Sequence, residues 1–218
     1  MPTAFIDYDG TLHNSMCVYG PAFRAGHALM VERGQAQPRT FSDDEIARWL
    51  GFTVEDMWAE FMPELPEEIW RDVSLYVGSE MDRLTDKGEA RLYDGTLETL
   101  RALKDAGWTL VFLSNCGPGY RDKHFAAFGL GEVFDAAYCA ADFPGLAKWQ
   151  IYERVESDFP KPHVMVGDRF HDLEVATRAG IASVGCAYGY GAPDELASAT
   201  AVINDIRDLP DALRAIEQ

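Results

Sequence analysis

The sequence is poor in basic residues relative to acidic ones. Its 218 residues contain 19 Lys and Arg against 36 Asp and Glu, which gives a formal net charge of −17. This excess of negative charge disfavours binding to nucleic acids and to anionic membrane surfaces, which carry charge of the same sign. An anionic small-molecule substrate would therefore need a local cationic site made from a metal ion, a lysine or backbone N–H groups.

The sequence also lacks paired cysteines and long apolar runs. Cys17, Cys116, Cys139 and Cys186 form no Cys-x-x-Cys pair, which is typical of free thiols in a reducing compartment rather than of disulfides or a zinc site. No apolar run approaches the ~20 residues of a membrane-spanning helix, and no basic segment followed by an apolar one opens the chain. We therefore expect a cytoplasmic protein that has no membrane partner.

Sequence patterns divide the chain into a helical stretch inserted in a stretch of alternating strands and helices. Hydrophobic residues make up 47% of the chain, as in packed globular domains. Between residues 15 and 88 the periodicity predicts helices alone, over residues 22–32, 42–50, 53–61 and 66–84. From residue 93 onward helices and strands alternate, which predicts a parallel sheet with helices on both faces. The strands are expected at residues 4–6, 108–113, 134–140, 163–166, 182–185 and 201–203.

Two aspartates follow the first apolar run of the chain and are separated by one residue. Asp7 and Asp9 come after residues 4–6 and lead into the Gly10-Thr11 turn. Side chains at positions i and i+2 of a strand point the same way, so the two carboxylates converge at the strand end. Carboxylates this close repel each other, and they remain ionised most easily around a cation. Gly10 permits a tight turn and leaves room for a ligand beside the main chain.

The segment Asp7-Tyr8-Asp9-Gly10-Thr11 resembles the first motif of the haloacid dehalogenase superfamily, at the N-terminal position where that family carries it. The resemblance implies an α/β fold with a Rossmann-like, doubly wound parallel sheet. It implies that Asp7 is a nucleophile that takes up a phosphoryl group and that Asp9 is the general acid and base. Gly10 and Thr11 are then expected to line the phosphate site.

A second polar segment follows the predicted strand 108–113. Ser114 and Asn115 precede Gly117-Pro118-Gly119, which opens the next predicted helix. A hydroxyl, the N–H groups beside it and a helix N-terminus together can bind an anion, although Ser-Asn after a strand is commonly turn chemistry alone. The segment resembles the second motif of the superfamily, which implies that Ser114 holds a phosphate oxygen, with Asn115 beside it.

The same resemblance calls for a lysine that neutralises the nucleophile and the transferred phosphoryl group. Lys161 is followed by proline, as is common at this family site, but it abuts the next predicted strand and leaves no room for a helix. Lys148 lies 20 residues before Asp168 and precedes a predicted helix. We therefore assign the role to Lys148, which departs from the common pattern in having Trp149 after it.

An acidic segment follows the predicted strand 163–166 and resembles the fourth motif of the superfamily. It contains Asp168 and, four residues later, Asp172. The resemblance implies that Asp168 ligates Mg²⁺ together with the Asp7 carboxylate and the Asp9 backbone carbonyl, all of them oxygen ligands of the kind that Mg²⁺ prefers. Asp172 is expected to orient a bound water or Lys148, a role that is compatible with capping its own helix.

The domain arrangement and the branch of the superfamily follow from the same resemblance. Residues 1–14 and 89–218 are expected to form the core domain, and residues 15–88 an α-helical cap domain of the C1 type. The cap, and the Tyr-Gly repeat in residues 187–191, resemble the phosphoglycolate-phosphatase-like branch. Gly51, in a turn between two cap helices, and Arg48 resemble a substrate-specificity loop, although Arg48 is as readily a surface charge. We interpret the five histidines as surface residues rather than ligands: His13, His27, His124, His163 and His171.

The expected activity is Mg²⁺-dependent hydrolysis of a small phosphorylated metabolite, phosphoglycolate-like or a sugar phosphate, through an aspartyl-phosphate. A dehalogenase would need neither Asp9 nor Asp168. A phosphonate hydrolase of this branch would need a cap lysine, and residues 13–86 contain none. Phosphomutase, pyrophosphatase and nucleotidase activities remain open, as does the state of assembly, monomer or homodimer. A non-catalytic regulator is disfavoured because all four aspartates of the motifs are present.

Overall fold

The computed structural model describes residues 1–216, and the chain divides into two compact units. One unit combines Met1–Asn14 with the chain from Leu92 onward, and the other is Ser15–Arg91. The predicted boundary after residue 88 lies in the turn after the last helix of the second unit, and the last two residues of the predicted core domain lie outside the described residues. We call the two units the core unit and the helical unit.

The core unit contains a six-stranded parallel sheet. The strands are β1 (Thr3–Ile6), β2 (Thr109–Ser114), β3 (Ala136–Cys139), β4 (His163–Gly167), β5 (Ala182–Cys186) and β6 (Ala201–Ile203). They follow the spatial order β3-β2-β1-β4-β5-β6, so the chain starts in the middle of the sheet and extends to both edges. This is the doubly wound α/β fold that the alternation of strands and helices predicts.

Helices cover both faces of this sheet, and each face has its own apolar cluster. Along β1, Ile6 packs in one cluster while Phe5 packs in the other, as the two-residue period of a strand requires. Phe5 pairs with Val111 and Met165 in the same cluster, so this face is apolar across the three central strands. The helices of the core unit are α5 (Thr96–Asp105), α6 (Pro118–Phe128), α7 (Lys148–Val155), α8 (Phe170–Ala179) and α9 (Leu209–Ile216).

The helical unit contains four helices around an aromatic cluster of its own. They are α1 (Met16–Glu32), α2 (Asp43–Ala47), α3 (Val54–Phe61) and α4 (Glu67–Asp86). Helix α2 begins with the expected capping box, in which the Ser42 hydroxyl accepts from the Glu45 N–H and the Glu45 carboxylate accepts from the Ser42 N–H. Helix α1 begins earlier than predicted and contains Pro21, which supplies no N–H to the helical ladder.

No helix within residues 1–216 is long and apolar enough to cross a membrane.

Candidate active site

Three buried carboxylates and one buried lysine meet beyond the carboxyl ends of the central strands. Asp7 follows β1 and Asp168 follows β4, and these two strands are neighbours in the sheet. Lys148 is the first residue of α7, and Asp172 lies in the first turn of α8. All four side chains are at most 4% exposed. In doubly wound sheets, ligands bind in the crevice outside these strand ends.

Lys148 bridges two of the carboxylates. Its Nζ donates to Asp7 Oδ1 and to Asp172 Oδ1, at 2.7 Å in both cases. Burial alone would lower the pKa of Lys148, but the two carboxylates outweigh burial and hold this pKa above its ordinary value. Lys148 is therefore a permanent cation at the centre of the cluster. Lys161 lies instead at the surface and pairs with Glu156 at 3.0 Å.

Asp172 contacts both Lys148 and the start of its own helix. One carboxylate oxygen accepts from Lys148, and the other accepts from the Arg169 N–H at 3.0 Å, where α8 begins. Gly167 leaves the space that this carboxylate occupies, since a Cβ there would overlap the Asp172 side chain. The start of α8 thus holds the carboxylate that contacts Lys148, and the orienting role of Asp172 stays a prediction.

Asp168 is held by groups from two distant segments. The Thr11 hydroxyl donates to Asp168 Oδ1 at 3.2 Å, and the Tyr190 N–H donates to Oδ2 at 2.6 Å. Gly10 has a φ of 86°, and a Cβ at this position would overlap the Asp168 carboxylate. Gly191 is similarly confined, because a Cβ there would overlap the Asp168 carbonyl oxygen. The predicted contact of Thr11 and Gly10 with phosphate stays a prediction.

The carboxylate cluster fits a divalent cation. Asp7, Asp168 and Asp172 each offer an oxygen, and these three oxygens lie within 4.8 Å of one another. Asp7 Oδ2 is buried and makes no hydrogen bond with the described part of the chain. Burial raises the pKa of Asp7 to about 7, and burial also raises the pKa of Asp168 well above its ordinary range. A bound cation would remove the cost of ionising these groups, and oxygen donors of this kind suit Mg²⁺.

Asp9 lies in the same turn as Asp7, and its carboxylate contacts a different set of side chains. Tyr120, in the first turn of α6, donates its hydroxyl to Asp9 Oδ1 at 2.8 Å. The same hydroxyl lies 3.1 Å from His13 Nδ1. Burial, followed by the negative charge of Asp9, holds the pKa of Tyr120 well above its ordinary value, so the phenol stays a hydrogen-bond donor.

The interpretation of the histidines as surface residues is wrong for four of them. The buried histidines are His13, His27, His124 and His163, while His171 is half-buried. A neutral imidazole tolerates burial when a hydroxyl satisfies one of its nitrogens. Tyr8 supplies this contact to His124 at 2.7 Å, and Tyr152 supplies it to His163 at 2.8 Å. Burial lowers the pKa of His124 to about 4, so this ring is neutral at physiological pH.

Ser114 and Asn115 lie at the end of β2, next to β1 in the sheet. The Ser114 side chain is buried, and its hydroxyl accepts from the Cys116 N–H at 3.4 Å. Helix α6 begins shortly afterwards with Pro118 in its first turn, a position that proline suits. The predicted contacts of Ser114 and Asn115 with phosphate stay predictions.

Arg48 and Gly51 belong to the helical unit. The exposed Arg48 follows α2, and its guanidinium lies 4.4 Å from the centre of the Trp49 ring. Gly51 lies between α2 and α3 with a φ of 88°, a conformation that favours glycine. Their role in substrate selection stays a prediction.

Sequence reasoning missed the groups around Asp9. Tyr120 and His124 lie four residues apart on α6, a spacing that places side chains on the same face of a helix. That spacing, directly after the Ser114-Asn115 segment, is the signal that could have identified them. His13 carried no such signal, because its burial depends on stacking against Tyr8, with ring centres 5.1 Å apart.

The chain is similar to several known proteins. A family model described as haloacid dehalogenase-like hydrolase matches residues 1–180. The sequence is 35% identical over 204 residues to a 5'-nucleotidase of Pseudomonas aeruginosa, covering 89% of this chain and 86% of the relative. It is 31% identical over 105 residues to a phosphoglycolate phosphatase of Haemophilus influenzae, covering 46% of this chain and 47% of that protein.

Among solved structures, the chain is similar to that of a predicted phosphatase from Clostridium acetobutylicum, with a TM-score of 0.79. The match covers 100% of this chain and 99% of the other at 24% sequence identity. At that level of identity the likeness bears on the fold alone.

Proposed function

The chain belongs to the haloacid dehalogenase-like hydrolases and is a phosphatase of that family, and we propose that it hydrolyses phosphomonoesters of small organic molecules. The proposed reaction requires Mg²⁺ and proceeds through an aspartyl-phosphate intermediate on Asp7. The observation that carries the proposal is the environment of the Asp7 carboxylate. One oxygen contacts Lys148, and the other is buried without a hydrogen bond to the described residues. The Asp7 carboxylate also offers an oxygen within 4.8 Å of oxygens of Asp168 and Asp172.

Asp7 is the proposed nucleophile. An oxygen of its carboxylate forms a bond to phosphorus while the bond from phosphorus to the leaving oxygen breaks, so the phosphoryl group moves onto the enzyme. Lys148 neutralises this carboxylate from a distance of 2.7 Å. Repulsion between an anionic nucleophile and an anionic substrate is thereby reduced, and Lys148 can also stabilise charge on the phosphoryl oxygens.

Asp9 is the proposed general acid and base. In its protonated form it donates the proton to the leaving alkoxide, which then departs as an alcohol. The resulting carboxylate takes a proton from a water molecule that attacks the aspartyl-phosphate, which releases phosphate and regenerates Asp7. One carboxyl group thus serves both steps, in opposite directions of proton transfer.

Asp7 and Asp168, with the Asp9 backbone carbonyl, are the proposed ligands of Mg²⁺. Once bound, this ion would neutralise the clustered carboxylates and stabilise negative charge on the transferred phosphoryl group. Asp172 would act on this site through Lys148, with which it makes a 2.7 Å hydrogen bond. Ser114 and the backbone around Gly10, Thr11 and Asn115 would hold the phosphoryl oxygens.

The substrate proposed first is a small phosphorylated metabolite such as a phosphoglycolate-like acid or a sugar phosphate. Nucleoside monophosphates are a second candidate, because the relative that matches 89% of this chain is named a 5'-nucleotidase. In either case Arg48 and the Gly51 turn of the helical unit are proposed to select the leaving group. An Arg48→Ala variant is then expected to raise KM for the preferred substrate more than it lowers kcat.

The proposal is tested by measuring phosphate release from 4-nitrophenyl phosphate, with Mg²⁺ and after chelation of divalent ions. Turnover that requires Mg²⁺ supports the proposal. Absence of turnover with any divalent ion, or turnover that chelation leaves unchanged, contradicts it. A panel of nucleoside monophosphates, sugar phosphates, phosphoglycolate and pyrophosphate, ranked by kcat/KM, then separates the substrate classes. Activation by a sugar bisphosphate would instead indicate a phosphomutase.

A further inference from the structure

The carboxyl group of Asp9 is held on one side by a tyrosine. The Tyr120 hydroxyl donates to Asp9 Oδ1 at 2.8 Å, and the Asp9 side chain is only 14% exposed. Tyr120 lies in the first turn of α6, shortly after the Ser114-Asn115 segment at the end of β2. The turn between β2 and α6 therefore determines where this hydroxyl lies relative to the motif that carries Asp9.

The position of the Tyr120 hydroxyl is itself constrained by a buried histidine. His13 Nδ1 lies 3.1 Å from this hydroxyl, and the His13 side chain is fully buried. The His13 backbone also closes the turn that carries Asp9, because it accepts from the Gly10 N–H and donates to the Tyr8 carbonyl, each at 3.0 Å. Tyr120 is thus connected to Asp9 directly, by its hydrogen bond, and indirectly, through His13 and the turn.

Aromatic rings also pack around Tyr120 and His13. The His13 ring stacks on Tyr8 with ring centres 5.1 Å apart, and it meets His124 edge-on at 4.6 Å. The Tyr120 ring lies 4.0 Å from His124, which in turn contacts the Tyr8 hydroxyl. The cluster consists of two tyrosines and two histidines, which come from the turn after β1 and from α6. Such packing restricts Tyr120 to few rotamers.

We propose that Tyr120 is a positioning residue for Asp9: its hydroxyl binds Oδ1 and restricts rotation of the carboxyl group, so that Oδ2 exchanges the proton with the leaving group and with water. This inference rests on the proposed function, in which Asp9 is the general acid and base. Proton transfer in a transition state is efficient only when the acid is held within hydrogen-bond reach of the reacting oxygen. Tyr120 acts through Asp9 and makes no bond to the reacting atoms.

The test is Tyr120→Phe, which removes the hydroxyl and keeps the ring in the cluster. A well-oriented acid matters most when the leaving group is a strong base. We therefore compare phenyl phosphate, which has the more basic leaving group, with 4-nitrophenyl phosphate. The quantity compared is kcat/KM, which reports the phosphoryl-transfer step. We expect a loss of about tenfold with phenyl phosphate and of about twofold or less with 4-nitrophenyl phosphate. Crystal structures of both proteins are expected to show the Asp9 carboxyl rotated in the variant while the ring at position 120 stays in place.

Tyr152→Phe is the matched control. This variant also removes a buried tyrosine hydroxyl that contacts a histidine, at 2.8 Å from His163 Nδ1. Tyr152 packs in the apolar cluster of the opposite face of the sheet, with its ring 4.9 Å from Phe5. A comparable change in thermal stability is expected from both variants, with kcat/KM unchanged in Tyr152→Phe for both substrates.

Asp9→Asn separates this inference from the function on which it rests. If Asp9→Asn retains wild-type kcat/KM with phenyl phosphate, the acid assignment fails and the positioning role fails with it. If Asp9→Asn loses activity while Tyr120→Phe retains it, or loses it equally with both substrates, only the positioning role is overturned. Because Tyr120 acts through Asp9, adding Tyr120→Phe to Asp9→Asn is expected to cause no further loss.

Discussion

The two units of the chain differ in what they bury. Among its described residues, the core unit buries five charged side chains, namely Asp7, Lys148, Asp168, Arg169 and Asp172. Residues 15–91, all of which the structure describes, bury no Asp, Glu, Lys or Arg. The interior of the helical unit is instead made of aromatic and aliphatic residues, among them Phe23, Phe41 and Trp58.

Buried charge destabilises a fold unless it is paired, so its concentration in one unit is informative. Asp7 and Asp168 are buried although burial raises the pKa of each carboxyl group. A fold that needed only stability would place apolar residues here. The comparison therefore favours the core unit as the place of the proposed bond-breaking chemistry. Substrate selection is the role proposed for the helical unit, through Arg48 and the Gly51 turn.

The largest effect is expected from Asp7→Asn, because the nucleophile has no substitute in the proposed reaction. The variant should lower kcat by ~10⁴-fold or more while the fold is retained. Phosphate release from 4-nitrophenyl phosphate measures this, with mass spectrometry to exclude deamidation of the new Asn. Asp122→Asn, at an exposed carboxylate that pairs with Arg121, is the matched control and should keep full activity. Full activity of Asp7→Asn would refute the mechanism.

Lys148→Met should have the next largest effect and should act on both activity and stability. It leaves Asp7 and Asp172 buried without their shared cation, so the free energy of unfolding should fall by about 3–5 kcal/mol. Loss of the charge that stabilises the phosphoryl group should lower kcat by about 10²–10³-fold. Denaturant unfolding and steady-state kinetics measure the two effects.

The matched control for this variant is Lys104→Met, at a partly exposed lysine that pairs with Asp135 at 2.5 Å. Screening by solvent limits that pair to about 1 kcal/mol or less. Equal losses of activity in Lys148→Met and Lys104→Met would remove the distinction between buried and exposed charge on which the comparison of the two units depends.

A smaller effect is expected when the pH is changed and the stability of the protein is measured with and without Mg²⁺. Burial raises the pKa of Asp7 from 3.8 to about 7. Without Mg²⁺, protonated Asp7 therefore contributes its full stabilisation below about pH 4, and this contribution is lost as the pH rises through about 7. Mg²⁺ is proposed to bind the ionised carboxylates, so an increase in Tm on addition of Mg²⁺ should grow over the same interval. Asp168→Asn should reduce this increase. A Mg²⁺ effect that neither pH nor Asp168→Asn alters would contradict the assigned ligands.

The smallest effect is expected in the helical unit. Arg71 is exposed, pairs with Glu67 at 2.7 Å and lies over the Trp70 ring. Exposed pairs of this kind contribute little, so Arg71→Ala should change the free energy of unfolding by about 0.5 kcal/mol and leave kcat within twofold. A large loss of kcat in this variant would show that charge in the helical unit takes part in the chemistry.

The fold could be predicted from sequence because strand ends carry a local signal. Asp7 and Asp168 each follow a short apolar run, and parallel strands bring such residues to one edge of a sheet. The placement of Tyr120 against the buried His13 could not be predicted in this way. It depends on ring packing between a turn and a helix that are distant in sequence, and a histidine that contacts a tyrosine hydroxyl looks the same in sequence as one at the surface. The roles of Arg48 and Gly51 could not be assigned in this way, because they depend on the identity of the leaving group, which no local sequence pattern encodes.

The central claim, that Asp7 accepts the phosphoryl group, is tested most directly by trapping the intermediate. Wild-type enzyme and Asp9→Asn, in which hydrolysis of the intermediate should be slowed, are mixed with substrate and Mg²⁺, quenched in acid and digested for mass spectrometry. The peptide that contains Asp7 should carry one phosphoryl group, in larger amount in Asp9→Asn. A phosphoryl group on any other residue, or none during active turnover in both proteins, would contradict the account.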